Sequence, residues 1–194
     1  MNFFDPVKHQ YFINGRPVSS VTQILRAVLG DAIWSASDWY LERGKAVHAC
    51  AALIAQGKQF EHDPQIAGQV AACRKFFTDM KIDDVLEVEG QVFSERYLFG
   101  GTLDLRCKIG AKEVIVDWKS ALSEVGEIQI GGYSVERPSA KYGMVVALLE
   151  SGKYKAGNMF KLDRPRNEFL ADLSVFNQRK RMGLIKTQEA EDGE

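Results

Sequence analysis

The sequence predicts a mixed α/β fold: a central mixed β-sheet flanked by helices, with a β-hairpin at its N-terminus. Three observations lead there. Apolar residues recur at helical spacing between residues 20 and 77. The pattern then switches to strand alternation from Val85 to Lys119, and a helix, two strands and a last helix follow.

Asn14-Gly15 stands between Tyr11-Phe12-Ile13 and Arg16-Pro17-Val18. Both central positions of such a turn need positive φ, so Gln10 to Ser19 reads as a hairpin. Ser19, Ser20 or Thr22 can cap a short helix through Leu29 that stops at Gly30. Ser37 or Asp38 can cap a longer helix to about Gln56, with Trp39, the Arg43 stem, Val47, Cys50 and Ile54 inward. A helix after Pro64 places Ile66, Val70, Cys73 and Phe77 on one face.

Val85 to Ser94 alternates as a strand. In Gly101 to Ile109, Leu103, Leu105, Cys107 and Ile109 face one way, and Thr102, Asp104, Arg106 and Lys108 the other. After a tight connection, Glu113 to Lys119 sets Val114, Val116 and Trp118 against Ile115, Asp117 and Lys119. A helix is expected over Glu127 to Val135, strands over Lys141 to Leu149 and Lys153 to Leu162, and a helix over Asn167 to Met182 with Phe169, Leu173 and Phe176 inward.

The chain's 194 residues suit one domain, expected over 1–186 with a core of about 38–182. The 45% hydrophobic and 26% charged content excludes a disordered chain or a collagen-like repeat. Three cysteines, Cys50, Cys73 and Cys107, cannot all pair and fit no zinc spacing; they read as buried thiols in a reducing compartment. No apolar run approaches the roughly 20 residues that span a bilayer. The first ten residues lack the pattern of a signal peptide. A net charge of -1 announces no nucleic acid, yet residues 153–186 carry nine Lys/Arg against three Asp/Glu. The tail 187–194, with four acids and no base, masks that excess and reads as disordered.

The chemistry concentrates in Gly100 to Ser120. If its two strands pair as a hairpin, Asp104 converges with Asp117 and Lys119. Two carboxylates brought together repel unless a cation lies between them, and a hard divalent ion is the natural occupant. On this segment alone, an Asp–Lys surface pair at a strand end serves as well. His48 lies about 160° around its helix from Cys50, off the apolar stripe. Gln129 and Tyr133 are four apart, on one helical face.

In order, the chain carries Gly44…His48, Glu89, Gly101-Thr-Leu-Asp104, Asp117-Trp-Lys119 and Gln129…Tyr133. This series resembles the PD-(D/E)XK nuclease superfamily, in its RecB-like exonuclease branch, over roughly residues 40 to 150. The opening Tyr11 to Leu25 is similar to standalone bacteriophage members. The resemblance implies a restriction-endonuclease-like core and a metal-dependent deoxyribonuclease. It implies His48, Asp104, Asp117 and the Trp118 backbone carbonyl as metal ligands. Lys119 would handle the attacking water, with Asp104, Asp117 and Glu89 also catalytic. Gln129 and Tyr133 would shape the site and touch DNA.

Arg43, Lys45, Arg179 and Lys180 are further candidates for DNA contact. The implied cofactor is Mg²⁺ or Mn²⁺, a histidine ligand suiting the latter. No iron–sulfur cluster is expected, since the three cysteines are unsuitably placed. DNA that is single-stranded or has free ends is the expected substrate. The setting would be the cytoplasm of a bacterium or of a phage-infected cell, in phage DNA recombination, replication or degradation. With no P-loop present, any helicase or recombinase would be a separate partner. A structure-specific or single-strand endonuclease of the same fold is the first alternative. A retired nucleic-acid- or protein-binding module is the second.

Overall fold

The computed structural model describes residues 1–30 and 38–185. The expected capping side chains of Ser37 or Asp38 and the acidic tail lie outside what it describes. The elements run β1 (Phe3–Asp5), β2 (Gln10–Ile13), β3 (Arg16–Ser20), α1 (Val21–Leu29), α2 (Asp38–Ala55), a 3₁₀ turn at Pro64–Ile66 and α3 (Ala67–Met80). There follow β4 (Asp84–Ser94), β5 (Phe99–Ile109), β6 (Lys112–Lys119), α4 (Glu124–Ser134), β7 (Tyr142–Leu148), β8 (Tyr154–Ala156), β9 (Phe160–Lys161) and α5 (Asp163–Arg181).

The fold is a mixed sheet with helices on both faces and extra strands at the N-terminus, as expected. Asn14 and Gly15 both have positive φ, which closes the β2–β3 hairpin. Ser20 caps α1 in a capping box with Gln23, and Gly30 ends it. One face of the sheet packs on α1, α4 and α5 through Ile24, Phe99, Ile115, Ile130 and Phe169. The other packs on α2 and α3 through Ala51, Phe76, Val116, Trp118 and Val146.

Two features of the sheet create the site. First, β4 pairs along the whole of β5, so β3 and β6 must share the opposite edge of that strand. β3 pairs with Phe99 and Gly100, and β6 with Leu105 to Ile109. Between them Gly101 to Asp104 face a gap in the ladder, and such a divergence of strands opens a crevice. Second, Glu89 has φ 49° where it would face Asp104, and the ladder skips that pair between Val88↔Leu105 and Gly90↔Leu103. The side chains change faces there. Leu103 and Val92 pack with α1, α4 and α5, whereas Leu105, Cys107 and Val88 pack with α2 and α3.

That reversal corrects the unbroken alternation expected over Gly101 to Ile109. Three further expectations are corrected. Trp39 is 52% exposed rather than inward, because the core contact of α2 is made further along, by Cys50 and Ala51. Phe77 packs against the core, and Phe76 beside it is the fully buried aromatic of α3. The strand expected over Lys153 to Leu162 is two short strands, β8 and β9, each pairing with a different part of β7. The last helix starts at Asp163, with Pro165 in its first turn, where no intrahelical donor is required.

The glycines of α4 have a packing reason. A Cβ on Gly131 would lie 2.3 Å from the carbonyl of Pro165, and one on Gly132 2.9 Å from Val21. Their absence lets α4 lie directly on α5 and α1.

Candidate active site

The crevice beside Asp104 gathers motif residues from α2, β4, β5, β6 and α4. Asp104 (β5) and Asp117 (β6) are 8% and 2% exposed. Such burial of carboxylates is costly unless each is compensated. Asp104 Oδ1 lies 3.0 Å from Nδ1 of His48 on α2, and its Oδ2 accepts the Trp118 N–H at 2.7 Å. Lys119 Nζ stands 2.6 Å from Asp117 Oδ2. Among the described residues, that oxygen has no partner besides this ammonium.

Gln129 Nε2 donates to the Tyr133 hydroxyl at 2.6 Å and to Thr22 Oγ1 at 3.3 Å. The glycine pair before Asp104 is explained by aromatic rings. A Cβ on Gly100 would meet Tyr11 at 2.5 Å, and one on Gly101 would meet Tyr133 at 2.8 Å.

The electrostatics follow from burial and mutual charge. Burial, reinforced by Asp104, pushes Asp117 up to about 6, although Lys119 opposes the shift. Burial also works against charge on Asp104, but His48, Lys119 and the Trp118 N–H outweigh it and hold that carboxyl below its usual range. For His48, burial is outweighed by Asp104 and the imidazole is raised. For Lys119, burial is outweighed by Asp117 and Asp104, so the ammonium stays protonated. Glu89 as a residue is open to solvent, but its carboxyl end turns into the crevice. Desolvation and Asp104 push it up to about 7.

One donor atom each from His48, Glu89 and Asp104 lies within 4.8 Å of the other two, a spacing able to hold a metal ion. An imidazole with two carboxylates suits a divalent transition metal as well as Mg²⁺. The buried carboxylate of Asp117 stands beside this group, and its proximity to Asp104 is a further reason the crevice fits a cation. Among the described residues, the three-donor group contains Glu89 and not Asp117. Asp117 is turned instead to Lys119.

Two cavities meet at Thr22, Gly44 and His48. One, of about 500 Å³, reaches Glu89, Asp104, Lys45 and the hairpin residues His9 and Tyr11. The other, of about 870 Å³, reaches Lys119, Gln129, Arg43 and Tyr40. A Cβ on Gly44 would meet nothing within 4 Å, so this position borders open space.

Arg43 is bonded to Glu150, and Lys45 pairs with Glu42 at 2.7 Å. Arg179 and Lys180 are not brought to this crevice. Arg179 donates to the carbonyl of Ala27, in the last turn of α1, and neither residue lines the two cavities. Sequence reasoning missed His9, Tyr11, Thr22 and Thr102. Only the fold brings them in, and no spacing in the sequence announces them.

Solved structures similar to the chain include LHK-Exo in complex with dAMP, 12% identical over 86% of this chain and 89% of that one, with a TM-score of 0.48. The alkaline exonuclease LHK-Exo from Laribacter hongkongensis is 12% identical over 86% and 93%, with a TM-score of 0.40. SSO0001 is 14% identical over 62% and 59%, with a TM-score of 0.36. No family model and no curated protein matches the chain. Among the described residues, no helix is long and apolar enough to cross a membrane. An activity resides in the residues of a site and not in likeness of fold.

Proposed function

We propose that the chain is a divalent-metal-dependent deoxyribonuclease of the PD-(D/E)XK superfamily, RecB-like branch, acting as an exonuclease on single-stranded or frayed DNA ends. One observation carries this reading. The residues of five weak motifs, spread from Gly44 to Tyr133, lie around one crevice at the gap between β3 and β6. An isolated Asp–Lys surface pair would have no reason to collect His48, Glu89 and Gln129 around it.

His48, Glu89 and Asp104 would hold the metal, with Asp117 and the Trp118 carbonyl beside them. A bound divalent ion supplies a water of lowered pKa and offsets phosphate charge. The chain's own residues do the rest. The Trp118 N–H fixes the Asp104 carboxylate, and Asp104 in turn orients the His48 ring. Lys119, kept charged by two carboxylates, positions a water for in-line attack and stabilises charge on the phosphate oxygens. In the hydrolysis the water oxygen bonds to phosphorus, one phosphorus–oxygen ester bond breaks, and the water's proton balances the departing alkoxide. Gln129 and Tyr133 set the wall against which the backbone lies.

The reading takes residues 1–186 as one nuclease domain. It places the protein in phage DNA recombination, replication or degradation in the cytoplasm of a bacterial or infected cell, with any helicase or recombinase a separate partner. That setting rests on the resemblance of the N-terminal segment alone.

The test uses end-labelled linear and covalently circular single-stranded DNA, each with Mg²⁺, Mn²⁺ or EDTA. Loss of the linear form only, abolished by EDTA, is expected. Cutting of the circle would assign an endonuclease. Tight DNA binding with no cleavage of single strands, duplex or RNA would assign a binding module.

A further inference from the structure

The first turns of α2 carry an exposed aromatic group that the proposed chemistry leaves unused. Trp39 and Tyr40 are 52% and 59% exposed, and their rings meet edge to face at 4.8 Å. The Arg43 guanidinium lies 5.0 Å from the centroid of Trp39 and 5.9 Å from that of Tyr40, within cation–π range. Glu150 fixes the guanidinium from the other side. Tyr40 and Arg43 form one wall of the 870 Å³ cavity, and Lys119 lies in the same cavity.

The far wall is of opposite character. It is formed by Lys119, Ser120 and the N-terminal turn of α4, through Ser123 and Gly126. That wall presents the Lys119 ammonium and the N-terminal end of an 11-residue helix, whose first turn also carries Glu124 and Glu127. With the Tyr40 ring on one wall, Trp39 adjoining it outside the cavity lining, and the Lys119 ammonium on the other, the groove offers a partner to a base and a partner to a phosphate. The groove is continuous with the crevice through Thr22, Gly44 and His48. Paired bases inside a duplex have no free face to offer such a platform.

We infer that the Trp39–Tyr40 pair, steadied by Arg43, is a stacking platform for an unpaired base of single-stranded DNA whose phosphate enters between Lys119 and the start of α4. This rests on the nuclease reading for the direction of the strand, but stacking itself needs no catalysis.

The experiment therefore measures binding without cleavage. A fluorescently labelled eight-residue oligothymidylate and a blunt duplex of mixed sequence are titrated in EDTA, with anisotropy as readout. The proteins are the wild type, the double variant Trp39→Ala/Tyr40→Ala and the aromatic replacement Trp39→Phe/Tyr40→Phe. Both positions are exposed, so folding is retained; circular dichroism checks it.

We expect the alanine pair to weaken the single strand about tenfold, the phenylalanine pair to restore most of that, and the duplex to respond little. Equal affinity of the alanine pair and the wild type for the single strand overturns the platform, as does an equal loss on duplex. Stacking-dependent binding by a wild type that cleaves nothing with any metal would sink the nuclease reading and leave the platform standing.

Discussion

Lys119 Nζ lies 2.6 Å from Oδ2 of Asp117, two residues earlier on the same face of β6. Neither group is independent of the other. Asp117 is so buried that its carboxyl is pushed up to about 6 even with the ammonium beside it. Lys119 keeps its charge because Asp117 and Asp104 outweigh the cost of its burial. The pair is thus held ready at the edge of a three-donor group.

Metal affinity should follow the donors and not the lysine. His48→Ala and Asp104→Asn are each expected to weaken Mn²⁺ binding at least tenfold by titration calorimetry, the order of loss seen when metal-site shells are disturbed. Mn²⁺ should raise the melting temperature of the wild type and not of these variants, because a ligand stabilises only the state that binds it. Equal thermal shifts in all three proteins would place the metal elsewhere.

Glu89 gives the metal-free protein a pH signature. Desolvation and then Asp104 push its carboxyl up to about 7 in the fold, above the ordinary value of 4.5. The contribution of its protonated form is fully present below about 4.5 and is lost as pH rises through 7. Glu89→Gln keeps the neutral form at every pH. In EDTA, the variant should melt above the wild type at pH 8, and the two should converge towards pH 4.5. A gap independent of pH would show that Glu89 is not desolvated against Asp104.

Glu87 behaves in the opposite sense. It accepts from Arg137 at 2.6 and 2.9 Å and from Arg106 at 2.9 Å. Arg137 first, then Arg106, lowers its pKa against the effect of burial. Such a group stabilises the fold above about 4.5, and that stability is lost as pH falls through the lower folded value. Glu87→Gln should cost about 1.5–3 kcal/mol in urea denaturation at pH 7. The difference from wild type should shrink between pH 5 and pH 3.

The two adjacent glycines of α4 should differ sharply. An alanine at 131 meets main-chain atoms of Pro165 and Arg166, at 2.3 and 2.7 Å, and main chain cannot step aside. Gly131→Ala is expected to destabilise by about 1–3 kcal/mol, the usual cost of overpacking. At 132 the nearest atoms belong to the buried side chains of Val21 and Phe169, at 2.9 and 3.0 Å, which must shift within the core. There the gain of about 1 kcal/mol in helix propensity offsets part of the clash, so Gly132→Ala should cost clearly less than Gly131→Ala. Thermal melts of the two variants decide it.

Much of this was legible because it is local. The Asn14-Gly15 turn, the Ser20 cap and the inward Phe169, Leu173 and Phe176 follow from spacing and turn chemistry alone. What stayed hidden depends on partners distant in sequence. The face reversal at Glu89 needs the opposing Asp104 to be visible, and β1 and the division between β8 and β9 need their neighbours in the sheet. Trp39 fits the apolar stripe of α2 by period but lies beyond the reach of the core. The site residues could be proposed from their order, but the gathering of Glu89 rather than Asp117 with His48 and Asp104 could not.

The most direct measurement is the rate at which end-labelled linear single-stranded DNA is degraded by the wild type and by Lys119→Met, side by side, with Mn²⁺ binding measured on both. The account predicts cleavage by the wild type in Mg²⁺ or Mn²⁺ and none in EDTA. It predicts that Lys119→Met still binds Mn²⁺ but cleaves at least about 100-fold more slowly, the usual loss when one charge-stabilising group is removed. Cleavage by Lys119→Met at the wild-type rate, or wild-type cleavage that persists in EDTA, would contradict it.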